Sequence, residues 1–515
     1  MIDLTHKELE SLGFYHAVHM LAPSSPYGWE LVRKPHFFGP VEREALETEW
    51  ENIEKGMSAL RERVDAVERL CHCFSQLRDI RPTLLRIQTE TLDEIELFEV
   101  KRYLLQLTLI APLYRQTGAD FLGIVITEET EALSILDPDG MRLPAYSIHA
   151  RAGSPLYEAR NRKAALETAL RENTGEEARR HLMEERRRWV LQEEEEARRE
   201  RRRLTEALRP FSAALLRNAE KIGRVDFLLA KARLAAECGC VKPIMIKKGV
   251  RFFEMVNPKI DDLMREAKGP ADGSLAGGSR ESNGPAGSSP RSGSAGDPGA
   301  GRFAPLTIEA PEGATVVTGA NMGGKSVAIR TLALNVLLCH AGFFAFAKHA
   351  ELSLFDSMHL IIADYTDEER GVSSFAAEIL KISRLLSDIE NGSYCFSIID
   401  EPARGTNPEE GAALVKALVK KMSGRRSVCL VTTHFDGVAG AATARYHTAG
   451  FYNLPDRMPE GAGVSWIAKH MRYGLIPDDG TPPPRHALTV CRLLGLDREV
   501  VDEMERALFA EGSRV

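Results

Sequence analysis

Residues Thr315–Thr331 read TVVTGANMGGKSVAIRT. An apolar, β-branched run gives way to a small polar loop with three glycines, then to Lys325-Ser326 and a helix-forming segment. Gly319-Ala320-Asn321-Met322-Gly323-Gly324-Lys325-Ser326 satisfies G-x-x-x-x-G-K-[ST], between a predicted strand (ATVVT) and a predicted helix (SVAIRTLALNVLL). In that setting the glycines let backbone N–H groups turn toward phosphates, and the helix N-terminus adds a favourable dipole. Lys325 is placed to reach the β- and γ-phosphates of a nucleotide, and Ser326 to ligate Mg2+.

A second element lies about 75 residues beyond the loop, in YCFSIIDEPARGTNPEEG. An apolar strand, Cys395 to Ile399, ends in Asp400-Glu401. Parallel α/β sheets bind ligands at the carboxyl ends of their strands. Asp400 is therefore expected to hold Mg2+ through water, and Glu401 to orient or deprotonate an attacking water. A third strand, SVCLVTTH, ends at His434. That histidine reads either as a sensor of the γ-phosphate or as a capped surface side chain.

The rest of the chain surrounds this α/β region with helices. At 515 residues there is material for two to four domains. The net charge of −7 argues against a surface coated with basic residues for nucleic acid, although a local basic groove is compatible with it. The opening MIDLTHKELESLGFYHAVHML has early acids and no clean apolar segment, so no signal peptide is expected. Thr331 to Ala347 is the most apolar long run, but Asn335, His340 and Gly342 interrupt it; a buried helix is expected rather than a membrane span. Eight cysteines are few for this length. Cys71/Cys73 and Cys238/Cys240 are one residue apart, against the two to four usual for zinc, so reduced thiols and a cytoplasmic protein are expected.

Four regions follow. Residues 1–150 read as helical with a small β element, in which GIVIT and ALSILDPDGMRLPAYSI form short strands around Asp137-Pro138-Asp139-Gly140. Residues 151–240 read as long helical arms, broken at Asn173-Thr174-Gly175 and kinked or restarted at Pro210. The longer arm, of ~45 residues, would extend ~65 Å at helical rise. Its acids and arginines lie three to four residues apart, as on a solvated helix held by many weak pairs. Residues 241–480 alternate strands and helices, apart from a Gly/Ser/Pro insertion at 268–302 that cannot form a core. Residues 481–515 read as two short helices around Gly495.

TGANMGGKS, GVSSFAAEI, IIDEPARGTNPEEG and VTTHF occur in the order and spacing of the MutS family of ATPases. IGRVDFLLAKARLA resembles that family's return from lever helix to ATPase, so the resemblance runs from about Glu220 to Ala510. It implies an α/β P-loop NTPase domain of the ABC/MutS type, preceded by an all-α core and lever region and followed by a helix-turn-helix tail that helps close a dimer. It also implies ATP and Mg2+ as cofactors. Asn321 resembles the loop Asn that approaches the γ-phosphate, and Ser373 the signature serine that reaches the other subunit's nucleotide. Glu378 resembles the acid after that serine, and His434 the switch histidine. Phe303 lies near the family's adenine-stacking aromatic, and His470 would flank the base from the other side.

Some positions depart from the family's pattern. The loop proline is Ala320, the threonine after Ser326 is Val327, and the Asp-Glu pair before the signature is Asp364-Tyr365. None of these removes a phosphate, metal or water-positioning group. The family's mismatch readers begin with a globular domain carrying a Phe-x-Glu wedge, and their arms end in a DNA-gripping clamp. Here the first hundred residues show little strand pattern, and a Phe-x-Glu-like string is expected in a helical segment and not in a reading domain. The arms meet in a short turn instead of a clamp, and no nuclease-type domain is expected after the ATPase. Two functions are compatible with this reading. One is ATP-driven clamping of DNA by a homodimer, or by a heterodimer with a related subunit, through mismatch-repair-like or structure-specific but not sequence-specific contacts. The other is remodelling of a protein client, as in the MutS-like reactivating factors of cobalamin-dependent aminomutases.

Overall fold

The computed structural model describes residues 2–511 except 3, 144–147, 149, 151, 173–174, 267–302, 320–323, 363–373, 405, 436, 452–470 and 479–486. The chain divides into two compact units. One comprises Met1–Met20, His36–Trp50 and Ala235–Val515; the other comprises Leu21–Pro35 and Glu51–Leu234. An N-terminal helical region with long helices is followed by mixed α/β sheets.

Among the described residues the first unit holds ten strands: β1 Ile244–Met245, β2 Val250–Met255, β3 Leu306–Ala310, β4 Gly313–Thr318, β5 His349–Leu352, β6 Ser357–Ile362, β7 Cys395–Asp400, β8 Ser427–Thr432, β9 Ala444–Phe451 and β10 Met471–Pro477. They form a four-stranded sheet, β1-β5-β2-β3, and a six-stranded sheet, β10-β9-β4-β8-β7-β6. In the larger sheet all pairings are parallel except β10 with β9. β7 and β8 are buried along their whole length, and β4 is buried up to Val317. Strands covered on both faces read as continuous apolar runs, which is why these three fall where the sequence places them. Helices Ser374–Glu390 and Pro408–Ser423 cover the face carrying Val316, Ile399 and Val431. Helix Lys325–His340 packs on β7 and β8. It is buried nearly all round, as its composition predicts, and no described helix is long and apolar enough to cross a membrane. Its polar Asn335 is fully engaged: Nδ2 donates to the carbonyls of Val256 and Thr331, and Oδ1 accepts from the Phe346 amide.

The second unit is helical. Helices Pro155–Glu172 and Glu176–Leu208 pair along the arm through Lys163 and Arg160 on Glu193 and Arg186 on Glu167. The longer helix has 33 residues, about 50 Å at 1.5 Å per residue, and so is shorter than expected. A 3-10 turn at Arg209–Phe211 ends it, because Pro210 cannot continue the ladder, and a new helix starts at Ser212. The tail forms helices Ala487–Leu493 and Arg498–Glu511, with Gly495 in the left-handed region between them.

The small β element expected within 1–150 is not formed among the described residues. Thr130–Leu136 is a helix that buries Ala132, Leu133 and Leu136 on one side. GIVIT is a connector, and side chains of the Ser212–Cys238 helix satisfy its C-terminal part. Asn218 bonds the Thr127 amide and carbonyl at 3.2 and 3.0 Å, and Lys221 donates to the Val125 carbonyl at 2.6 Å.

Candidate active site

The site lies where β4, β7 and β8 end. Gly319 follows β4 with φ of 129°, and a Cβ there would stand 2.2 Å from Thr448 Oγ1 on β9. Only glycine fits both the conformation and the space. Gly324, with φ of 84°, caps helix Lys325–His340. Ala320, Asn321, Met322 and Gly323 lie outside the described residues, as do Ser373, Asp364, Tyr365 and His470. Lys325, the first helical residue, is 2% exposed. Its Nζ donates to the Gly319 carbonyl and stands 3.1 Å from Glu401 Oε1. Burial pulls its pKa down to about 8; the carboxylate of Asp400 opposes this shift and the guanidinium of Arg404 adds to it.

Asp400 ends β7 and is held from both sides. Its Oδ1 accepts from Ser326 Oγ at 2.9 Å and from Thr432 Oγ1 at 2.8 Å, and its Oδ2 is 3.3 Å from Arg330 Nη2. Glu401 follows in the left-handed region, with φ of 49°, and Ala403 has φ of 65°. Such non-glycine conformations cost on the order of 1–3 kcal/mol each and persist where the surroundings enforce them. Three contacts enforce them here. The Glu401 amide donates to Thr432 Oγ1 at 2.8 Å, the Ala403 amide donates to Glu378 Oε1 at 3.0 Å, and Arg404 pairs with Glu401. Burial raises the Glu378 pKa, and the Ala403 bond opposes that shift. His434 is exposed just past β8. Its pKa is lowered by partial burial and then by Lys325 and Arg404, so its imidazole is neutral at pH 7.

The structure thus brings Lys325, Ser326, Asp400 and Glu401 together, with His434 within electrostatic reach of Lys325. Val327 is half-buried, and its carbonyl accepts from Thr331 Oγ1. Phe303 is 4% exposed beside helix Pro258–Glu266, where its amide donates to Asp261 Oδ1, so its ring has no open face for a base. Three participants are absent from the sequence reading: Arg330, Arg404 and Thr432. Arg330 lies four residues after Ser326, one helical turn, a spacing that could have revealed it. Thr432 meets Asp400 only through the β7–β8 register.

A hydroxyl and a carboxylate that converge at 2.9 Å, a buried ammonium and a loop entry with no room for a Cβ fit the phosphates of a Mg-nucleotide. Mg2+ usually takes one or two carboxylates plus substrate phosphates, and Asp400 and Ser326 would supply the protein's share.

The fold and these side chains define a phosphate-loop α/β nucleotide-binding domain. Residues 315–456 match the family model MutS domain V. Endonuclease MutS2 of Geobacillus sp. (strain WCH70) is 27% identical over 318 residues, covering 61% of this chain and 34% of its own length. Endonuclease MutS2 of Thermomicrobium roseum is 29% identical over 316 residues, with 60% and 34% covered. That of Thermus thermophilus is 27% identical over 299 residues, with 58% and 33% covered. The chain therefore carries a MutS domain V, an ATPase domain, and is distantly homologous to MutS2 proteins over about 60% of its length. It spans about a third of the length of the curated relatives it matches.

Proposed function

We propose that the chain is a Mg2+-dependent ATPase that works as a dimer and couples ATP turnover to clamping of DNA. The observation that carries the chemistry is the meeting of Lys325, Ser326, Asp400 and Glu401 at the carboxyl ends of the central strands β4, β8 and β7. Lys325 would bind the β- and γ-phosphates, and Ser326 and Asp400 would hold the metal. Bound Mg2+ would neutralise charge on the phosphates. Glu401 would orient the attacking water and accept its proton, and neutral His434 would donate to the γ-phosphate. Lys325→Ala should weaken nucleotide binding. Glu401→Gln should keep binding and lower turnover by roughly 10²-fold or more, as loss of a water-positioning group does. Steady-state turnover of Glu401→Gln within about threefold of wild type would overturn this assignment.

The DNA reading is supported by the MutS2 relationship and by the arm. Arg187, Arg188, Arg201 and Arg202 make no ion pair among the described residues. At 100° per residue they share a sector of roughly 140°. Glu184, Glu194 and Glu195 fall in the same sector, so weak, salt-sensitive contact with phosphates is expected. A second reading, remodelling of a protein client, is favoured by the pairing of Arg186, Arg199 and Arg203 with acids of the arm itself. Titration of duplex DNA at two salt concentrations, with and without ATP, separates the two. Absence of binding at low salt would favour the protein client.

A further inference from the structure

Thr432 is the last residue of β8 and fully buried. The register sets it beside Asp400, the last residue of β7. Its hydroxyl makes two contacts in opposite senses: it donates to Asp400 Oδ1 at 2.8 Å and accepts from the Glu401 amide at 2.8 Å. The two partners are consecutive residues with different tasks, and the second sits in a left-handed conformation that needs outside support. A hydroxyl has one proton to give and lone pairs to receive, so this pair of bonds satisfies it in one orientation.

We propose that Thr432 is a positioning residue that ties the metal-holding carboxylate to the water-positioning carboxylate. Its donated proton aims Asp400 Oδ1 toward Ser326, and its lone pair anchors the backbone from which Glu401 projects. The two groups are thereby fixed relative to each other by one side chain. This inference rests on the proposed roles of Asp400 and Glu401. Arg330 and Ser326 restrain Asp400 as well, so loss of the Thr432 hydroxyl loosens that group without releasing it. Glu401 has no second backbone anchor of this kind among the described hydrogen bonds.

The test uses Thr432→Val, which keeps the β-branched shape and removes the hydroxyl, and Thr432→Ser, which keeps the hydroxyl. Binding of a fluorescent ATP analogue is measured across a Mg2+ titration, alongside steady-state turnover and thermal unfolding. For Thr432→Val we expect turnover to fall at least tenfold. The Mg2+ concentration for half-maximal binding should rise several-fold, while binding without Mg2+ stays within about twofold. Thr432→Ser should recover both properties to within about threefold. A Thr432→Val protein with wild-type Mg2+ dependence and turnover overturns the proposal. So does a Thr432→Ser protein that melts like wild type yet behaves like the valine variant. If the wild type binds nucleotide with Mg2+ but does not turn it over, the hydrolytic reading fails, and the shift in Mg2+ dependence alone decides for or against the link to Asp400. Wild-type nucleotide binding that ignores Mg2+ overturns both.

Discussion

His340 ends the helix that begins at Lys325, and it is fully buried. Its Nδ1 donates to the Phe38 carbonyl at 2.8 Å, its ring stacks on Phe355, and Nε2 has no hydrogen-bond partner. A second proton would place a cation in the core with no acceptor, and burial pulls the pKa from 6.5 down to about 4. Between these values the folded protein binds fewer protons than the unfolded chain. Stability contributed by the neutral ring is therefore complete above about pH 6.5 and is lost progressively as the pH falls toward 4. The loss reaches at most about 3 kcal/mol. Urea unfolding at pH 7 and 4.5 should show this slope in the wild type. His340→Asn retains a donor for Phe38 without the titration and should flatten it; an unchanged slope would assign the acid sensitivity elsewhere. The buried Lys325–Glu401 pair gives a different lesson at this scale. Removing Lys325 leaves the buried Glu401 carboxylate with the half-exposed Arg404 to offset it, so Lys325→Met should destabilise the fold more than an exposed arm substitution does.

The Glu176–Leu208 helix belongs to the unit that does not carry the phosphate loop, so its charges can be tested apart from the ATP chemistry. Replacing Arg187, Arg188, Arg201 and Arg202 by Gln should lower DNA affinity and reduce the steepness of its dependence on salt, because each phosphate contact releases counterions. ATPase activity without DNA should stay within about twofold. Wild-type binding is expected to be no tighter than ~1 µM at physiological salt. Preference for a single mismatch should stay below about tenfold, the size of one good base contact. A fluorescence titration of homoduplex, mismatch and four-way junction checks both. What could be read in advance at this scale follows physical necessity. Phosphate chemistry forces Gly319, Gly324 and Lys325 into a local pattern, and burial on both faces forces β4, β7 and β8 to be apolar throughout. GIVIT misled because its hydrogen-bond partner, Asn218, lies 91 residues beyond Thr127, where no local pattern reports it. Thr432 was silent for a related reason: its partners are set by strand register, and its own sequence context shows only the end of an apolar run.

In the whole molecule, the signature serine and the phosphate loop would complete each other across a dimer. Mixing Ser373→Ala with Lys325→Ala protein should therefore give heterodimers whose ATPase differs from either parent. A monomer at micromolar concentration with ATP bound, seen by light scattering, would contradict shared sites. The 268–302 insertion enters at a place suited to carry it. The Phe303 amide donates to Asp261 Oδ1 at 3.0 Å, so the chain returns beside the helix it left. Deleting 268–301 down to a short Gly-Ser bridge should change ATPase activity by less than about twofold, since closure entropy grows only logarithmically with loop length. Collapse of activity would show that the insertion packs.

The unit that carries the nucleotide chemistry is assembled from three separate stretches of chain. Trp50 Nε1 donates to the Phe343 carbonyl at 3.1 Å, and the Phe38 amide donates to the His340 carbonyl at 2.7 Å. Residues far upstream thus finish the core behind the phosphate loop. A gene segment covering only 315–456 would transfer the recognisable motifs and leave behind strands β1 to β3, β10 and these upstream contacts. A single contiguous segment carrying the whole unit would have to include the helical stretch that lies between its pieces. The unit's inheritance is bound to that stretch, so the two should diverge together over evolutionary time rather than be reshuffled.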